Sequence, residues 1–331
     1  MSDEIKKHLD HIYKQLKSKK AAVLVGAGFS KNANLGFPDG AELIREFYTK
    51  LPCSDIQCEN LLTMAQEVEK QFGRPRLDDI IHNSIPDNDH SPSALHKKLL
   101  SLPWTDIFTT NFDTLLERAG KTFPSKHFET IARGEDLIGS AGITRIVKLH
   151  GSLPKGPFTI TQQDYKEYRE KFALFVNTIQ QALIEKTLCV IGFSGDDNNF
   201  RNWTKWLHNI LESPKIVPQK KPKIYFLIYK NIEEIPEEIR REWDSRNITP
   251  LQISGYGGNR RSCYEALLDH LLELSTPATV QEWLNLQTIT VGSRHKRSGC
   301  ALMHFAAKDG RLDVLEWLQD RGEDISAGDR Q

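Results

Sequence analysis

Short apolar runs alternate along this chain with segments of helical periodicity. The first helical segment is residues 3–18, where four apolar residues recur at helical spacing: Ile5, Leu9, Ile12 and Leu16. The strand-like runs lie at 21–25, 105–110, 143–151, 187–193, 223–229 and 248–254. Because no tight hairpin signal joins these runs, the pattern predicts an α/β protein with a doubly wound, mostly parallel sheet.

The segments between the strands have helical patterns. Helices are predicted at 41–51, 113–120, 164–186, 198–213, 233–243 and 264–275, and a short one opens at Thr276-Pro277. Residues 52–102 are polar, helical in pattern and interrupted by prolines, which predicts a small helical insertion beside the sheet. We therefore expect one domain over 1–287, followed by a polar linker at 288–298.

Residues 299–331 have a different pattern, which resembles an ankyrin repeat. The matching positions are Leu302, His304, Ala306, Ala307, Gly310, Val314, Leu318, Gly322, Asp324, Ala327 and Asp329. A single repeat cannot bury both of its faces, so we expect further repeats beyond Gln331. The alternative is one degenerate repeat docked on the main domain.

Composition narrows the classes of function. Of 331 residues, 39% are hydrophobic and 27% charged, as in a globular protein with a core. The 44 basic and 44 acidic residues give a net charge of +0, which argues against a broad nucleic-acid or membrane surface. The N-terminus lacks a signal-peptide core, and the five cysteines are scattered and odd in number. We expect a cytoplasmic protein with reduced thiols and no zinc site.

The candidate chemistry begins at the first strand, in AAVLVGAGFSKNANLGFPDG (21–40). Gly26 and Gly28 would let the backbone approach a pyrophosphate at the carboxyl end of the strand. The pattern is Gly-x-Gly-x-Ser and lacks the third glycine of a dinucleotide fingerprint. Alone, it fits either a phosphate-binding turn or a tight turn without a ligand.

Similar motifs lie at the carboxyl ends of three other predicted strands. They are Thr109, Thr110, Asn111 and Asp113 in TTNFD, His150 in KLHG, and Gly192 and Ser194 in GFSGDD. Each alone could be a helix cap, a structural histidine or a plain turn. Because the carboxyl ends of parallel strands meet at one sheet edge, the four motifs together favour a functional site.

In this order and at these spacings, the motifs resemble the sirtuin-like domain family, and more closely its bacterial defence branch. TQQDY (161–165) also fits that branch, and the resemblance spans roughly residues 15–275. It implies a Rossmann-like domain with a small helical subdomain. NAD would lie between the two, and its nicotinamide–ribose bond would be cleaved.

The resemblance also implies the site residues. The glycine turn, Gly26, Ala27, Gly28, Phe29 and Ser30, would hold the pyrophosphate, and Pro38 and Asp39 would line the nicotinamide end. Asn111 would orient the ribose and the attacking water, with Thr110 and Asp113 close by, and His150 would be the catalytic histidine. Gly192, Phe193 and Ser194 would contact the adenosine side, and the Gly255–Gly258 loop would close over adenine.

Deacylating sirtuins carry a zinc ribbon and a groove for the acyl-lysine peptide, and this sequence has neither pattern. Water is therefore the favoured acceptor, and we expect an NAD glycohydrolase acting as an effector of bacterial anti-phage defence. NAD is its substrate, and no metal is required. The family implies a homo-oligomer, and the repeats imply a protein partner or phage trigger. The alternatives are an NAD-dependent deacylase or ADP-ribosyltransferase, and a non-catalytic sensor of NAD or ADP-ribose.

Overall fold

A computed structural model describes residues 3–33, 36–50, 60–124, 126–193, 205, 222–276, 278–287, 291–294 and 300–323. Its centre is a seven-stranded sheet in the order β3-β4-β2-β1-β5-β6-β7, with every described strand pair parallel. The strands are β1 Ala21–Val25, β2 Asp106–Thr109, β3 Phe128–Ile131, β4 Thr144–Lys148, β5 Thr187–Ile191, β6 Ile224–Ile228 and β7 Ile248–Gln252. The predicted doubly wound parallel sheet is confirmed.

The strand order places a crevice at the centre of the sheet. β1 pairs with β2 on one side and with β5 on the other, so the chain reverses its direction of winding between β1 and β5. Val25 is in register with Thr109 of β2 and with Ile191 of β5. The three strands therefore end together, and the loops after them start at one edge, where ligands bind in open sheets of this type.

Both faces of the sheet are covered, which explains the unbroken apolar runs of β1, β5 and β6. In β1, Ala21, Val23 and Val25 face one hydrophobic cluster, and Ala22 and Leu24 face the other. The surrounding helices are α1 Asp3–Lys17, α2 Ala27–Ala33, α3 Gly40–Lys50, α7 Leu115–Gly120, α8 Gln162–Lys171, α9 Ala173–Glu185, α10 Glu237–Ser245 and α11 Arg260–Leu274. Among the described residues, no helix combines the length and apolarity needed to cross a membrane.

The predicted insertion contains α4 Leu61–Phe72, α5 Arg74–Ser84 and α6 Ala94–Ser101. The packing contacts group these helices differently from the predicted insertion at 52–102. A separate cluster joins α3, α4 and α5 to the loop after β4, through contacts such as Phe47, Met64 and Phe158. Leu95 and Leu99 of α6 instead belong to the core beneath the sheet. We use the term helical subdomain for α3–α5.

Local differences from the predicted elements have physical reasons. β3 was not predicted because it is a short edge strand in which only Ile131 is buried. The single helix predicted at 164–186 is two helices, α8 and α9, because Phe172 between them leaves the helical conformation. The residues after Gly26 form helix α2, where the sequence had indicated a loop. The helix predicted at 198–213 lies outside the described residues, apart from Lys205.

Three further helices share a small core at the C-terminal end. They are α12 Ala278–Asn285, α13 Leu302–Lys308 and α14 Leu312–Asp320. Trp283 of α12 packs with Ala306, Val314 and Leu318 of the other two. Paired helices at these positions are compatible with an ankyrin-like repeat, but that interpretation stays a prediction. Three of its matching positions lie outside the described residues: Asp324, Ala327 and Asp329.

Candidate active site

The glycine turn after β1 is packed directly against the turn after β5. The amide groups of Gly26 and Gly28 donate to the carbonyl oxygens of Ile191 and Gly192, both at 2.9 Å. A Cβ at Gly28 would lie 2.7 Å from the Gly192 oxygen, and one at Gly192 would lie 2.4 Å from the Phe29 nitrogen. Gly192 also has a φ of +80°. Glycine is therefore required on both sides, because two backbones approach too closely for side chains.

Asn111 lies beneath this turn with its amide group oriented by hydrogen bonds. Its Nδ2 donates to the Gly26 oxygen at 3.2 Å and to Ser30 Oγ at 3.0 Å, and Ser30 Oγ donates to Asp113 Oδ2 at 2.9 Å. A carbonyl oxygen can only accept, so the atom facing Gly26 must be the nitrogen. Asn111 is 6% exposed, and its buried Oδ1 has no hydrogen-bond partner among the described residues. This oxygen is thus a buried acceptor that is left unpaired within the described part of the chain.

Asp113 sits among buried charges that the sequence analysis did not identify. Its Oδ1 accepts from the Leu115 amide at 3.2 Å, while Lys148 Nζ donates to its backbone oxygen. Lys148 Nζ also lies 2.9 Å from Glu117 Oε1, and these two side chains are 0% and 8% exposed. Burial raises the pKa of Asp113, the Lys148 charge lowers it and the Glu117 charge raises it. The available signal was a lysine inside the apolar run IVKL, where β4 ends.

His150 follows β4 and lies against α8. Its Nδ1 is 3.4 Å from the Tyr165 hydroxyl, and its ring meets Tyr165 and Tyr168 edge-on at centroid distances of 5.5 and 5.9 Å. The Tyr168 hydroxyl donates to the Leu149 oxygen at 2.6 Å. Burial lowers the pKa of His150 to about 3, although Asp164 opposes this shift. The imidazole is therefore neutral near pH 7, and its low pKa makes it a weak base.

An ion pair connects the helical subdomain to α8. Arg74 Nη1, at the start of α5, lies 3.1 Å from both carboxylate oxygens of Asp164, and Arg74 Nη2 donates to the Phe158 oxygen. Asp164 Oδ2 also accepts from the Ile160 and Thr161 amides, both at 3.0 Å. Burial opposes ionisation of Asp164, but these hydrogen bonds and Arg74 lower its pKa. The subdomain thereby holds the helix that packs on His150.

A cavity of about 350 Å³ lies at the ends of β1, β5 and β6. It brings together five residues of the predicted binding set: Ala27, Gly28, Asp39, Gly192 and Phe193. Its wall also contains Tyr229, Arg260 and Tyr264, which the sequence analysis did not single out, and Arg260 lies over the Tyr229 ring at 5.1 Å. The predicted adenine loop, 255–258, leads into α11, which carries two of these residues.

Asp39, predicted at the nicotinamide end, lies at the mouth of this cavity, where Lys31 and the Glu42 amide hold its carboxylate. Lys31 Nζ lies 2.6 Å from Asp39 Oδ2 and 2.8 Å from Glu42 Oε2. The Glu42 amide donates to Asp39 Oδ1 at 3.0 Å. Pro38 is half-buried beside Asp39, and the Thr110 amide donates to the Val25 oxygen at 3.3 Å.

Two predictions fall partly outside the described residues. Ser194, predicted on the adenosine side, is one of the residues that the structure does not describe. Within the described part of the chain, no three His, Cys, Asp or Glu side chains are grouped so that they could hold a metal ion. Cys53 and Cys58 are not among the described residues, and a metal-free site stays a prediction.

The chain is similar in sequence to SIR2-like proteins and to proteins named as NAD hydrolases. Residues 105–251 match the family described as a SIR2-like domain. The chain is 29% identical over 235 residues to NAD(+) hydrolase ThsA of Acinetobacter baumannii (strain 532279), covering 68% of this chain and 45% of that protein. It is 23% identical over 199 residues to Defense-associated sirtuin 2 of Bacillus subtilis, covering 58% of this chain and 19% of that protein.

A solved structure described as a Sir2 homolog–NAD complex aligns with a TM-score of 0.44 and 14% identity, over 80% of this chain and 94% of that one. The chain spans less than half the length of the ThsA proteins that it matches. Residues 105–251 are thus similar to the SIR2-like domain family, and the curated relatives include proteins named NAD(+) hydrolase and defense-associated sirtuin.

Proposed function

We propose that this protein hydrolyses NAD to nicotinamide and ADP-ribose. The observation that carries the proposal is the buried amide of Asn111, whose Nδ2 is held by Gly26 and Ser30 while its Oδ1 is left as an acceptor. Asn111 lies just after β2, and the glycine turn that it contacts at Gly26 continues into Ala27 and Gly28, which line the cavity. Relatives named NAD(+) hydrolase agree with this chemistry.

The reaction requires little more than positioning and electrostatics. Departure of neutral nicotinamide leaves a positively charged, oxocarbenium-like ribose, which a water molecule must attack from a defined direction. Asn111 Oδ1 would orient that water or a ribose hydroxyl. His150 would take up the released proton, and because burial lowers its pKa to about 3 it would hold that proton weakly and pass it on to solvent.

Asn111 and His150 are tested by substitution. We expect Asn111→Ala and His150→Ala each to lower nicotinamide and ADP-ribose release by roughly a hundredfold or more. His127→Ala is the matched control, because His127 is a surface histidine with 74% of its side chain exposed. Equal NAD loss from wild type and both site variants would exclude the assignment.

The same assay separates the alternatives. Radiolabel transferred from the adenosine part of NAD to protein or nucleic acid would indicate an ADP-ribosyltransferase. O-acyl-ADP-ribose formed from an acylated peptide would indicate a deacylase. NAD binding without turnover, in the presence of the trigger, would indicate a sensor.

We further propose that the hydrolase acts as an anti-phage effector, which the name Defense-associated sirtuin 2 of a relative supports. On this view the protein is cytoplasmic and oligomeric, and an ankyrin-like C-terminal region receives a protein or phage trigger. The test is to measure NAD in phage-infected cells that express wild type, Asn111→Ala or His127→Ala. Depletion is expected with wild type and His127→Ala only.

A further inference from the structure

We propose that the buried ion pair of Lys148 and Glu117 is a positioning pair for Asp113 and, through Ser30, for the amide of Asn111. The inference rests on the proposed hydrolysis at that site. Lys148 ends β4 and Glu117 lies on α7, so the pair joins two elements directly beneath the Asn111 loop.

The burial of this pair calls for an explanation. Lys148 is 0% exposed and Glu117 is 8% exposed. Their 2.9 Å approach lacks hydrogen-bond geometry, and within the described residues neither carboxylate oxygen of Glu117 accepts a hydrogen bond. Desolvation of two such charges offsets most of their attraction, so apolar residues of similar size would serve stability as well or better. Stability therefore does not account for the pair.

The contacts of Lys148 lead to the site. Its Nζ donates to the backbone oxygen of Asp113 while it pairs with Glu117, four residues further along the chain. One ammonium group thus holds both ends of the turn into α7. Asp113 then accepts from Ser30 Oγ, and Ser30 Oγ accepts from Asn111 Nδ2.

This chain of hydrogen bonds has a direction that depends on the charge of Asp113. While Asp113 is ionised, Ser30 donates to it and must accept from Asn111, so the Asn111 oxygen stays available. A protonated Asp113 would donate to Ser30 instead. Because the Gly26 oxygen still requires the Asn111 nitrogen, the Ser30 proton would then have no acceptor, and the hydrogen bonds that orient the Asn111 amide would be weakened.

The described charges that face Asp113 act on it in opposite senses. They come from the two elements packed against it, Lys148 on β4 and Glu117 on α7. Removing the ammonium should make Asp113 easier to protonate, and removing the carboxylate should make it harder. A residue that only supported the fold would not produce two displacements of opposite sign.

The test uses Lys148→Met, Glu117→Gln and the double variant in the full chain, with nicotinamide release measured from about pH 5 to 9. We expect Lys148→Met to lower kcat at pH 7 by about 10- to 100-fold and to move the acid limb to higher pH. Glu117→Gln should move the acid limb to lower pH. The double variant should recover at least about fivefold over Lys148→Met, because neighbouring charges are not additive.

Lys70→Met and Glu67→Gln are the matched controls, because they remove the same charges from an exposed pair on α4. They should leave the profile unchanged. An acid limb that stays in place, or moves the same way in both site variants, would overturn the proposal. So would a double variant that is no better than Lys148→Met. If Lys148→Met does not fold, Glu117→Gln removes a charge without changing volume and still tests the sign.

ADP-ribose binding provides a readout without turnover. Measured by calorimetry over the same pH range, it should show the same opposite displacements in the two variants. If the two variants show these opposite displacements in ADP-ribose binding but wild type releases no nicotinamide, the hydrolysis proposal is wrong and the positioning pair stands. If wild type hydrolyses NAD but neither profile moves, the positioning pair is wrong while hydrolysis stands.

Discussion

Two lysines pair with carboxylates near the site, in different surroundings. Lys148 and Glu117 are 0% and 8% exposed beneath Asn111, whereas Lys31 and Asp39 are 35% and 38% exposed at the cavity mouth. Charges in a dry interior interact strongly and respond little to salt, whereas exposed pairs contribute little and are screened. The buried pair is thus suited to set the protonation state of neighbouring groups. The pair of Lys31 and Asp39 can only bias a local conformation.

The largest effect is expected at Ser30, whose hydroxyl links Asp113 to Asn111 in the buried hydrogen-bond network. Ser30→Ala removes the donor to Asp113 and the acceptor of Asn111 Nδ2 together. We expect kcat to fall about a hundredfold and the free energy of unfolding to fall by about 1–3 kcal/mol. Ser245→Ala, on an exposed helix end, is the control. A kcat within threefold of wild type would show that the network does not orient Asn111.

The next effect concerns the link between the helical subdomain and His150. Arg74→Met removes the contacts with Asp164 and the Phe158 oxygen, which hold the start of α8. We expect kcat to fall about tenfold, because a small displacement of a catalytic group is costly. Arg76→Met, two residues further along α5, is the comparison. Equal kcat values for the two variants would show that the subdomain acts independently of His150.

The burial of His150 should also appear in the pH dependence of stability. Its pKa is about 3 in the folded chain and near 6.5 when unfolded, so the unfolded state binds more protons between these values. Stability is therefore lost as pH falls through that window, by up to about 1.4 kcal/mol per pH unit from this residue. His150→Gln should reduce the slope in denaturant titrations, and His127→Gln should not. An unchanged slope in His150→Gln would mean that the histidine is solvated.

The smallest effect is expected at the cavity mouth. Lys31→Met breaks the contacts with Asp39 and Glu42, each more than a third exposed. Because the pair is screened by solvent, we expect KM to change by threefold or less. This change should become smaller as the salt concentration rises from about 0.01 to 1 M. The Lys148→Met defect should persist at high salt. A Lys31→Met defect as large and as salt-independent would remove the distinction between the two pairs.

The sheet could be predicted because its signal is local. Parallel strands covered on both faces need continuous apolar runs, and the fully buried strands β1, β5 and β6 have them. The edge strand β3 was missed because its polar residues are tolerated on a half-exposed edge. The motifs at the strand ends were equally visible, since each lies just after an apolar run.

The contacts between residues of the site could not be predicted from neighbouring residues in the sequence. Ser30 and Asp113 are 83 residues apart in the chain, and Lys148 lies 35 residues from Asp113. Their contacts depend on strand order and register, which place Thr109 of β2 opposite Lys148 of β4. A lysine in a strand would ordinarily be expected on an exposed face, so its role could not be inferred from its position alone.

By itself, the sequence determined the parallel α/β sheet and the residue types at its carboxyl edge, because apolar periodicity and strand-end motifs are properties of neighbouring residues. Only the tertiary structure decided which polar atoms meet. It assigned the Ser30 proton to Asp113, left Asn111 Oδ1 as the open acceptor, and placed Lys148 beside Glu117. Hydrogen bonds and buried charges act over a few ångströms, and only folding brings such distant residues within that range.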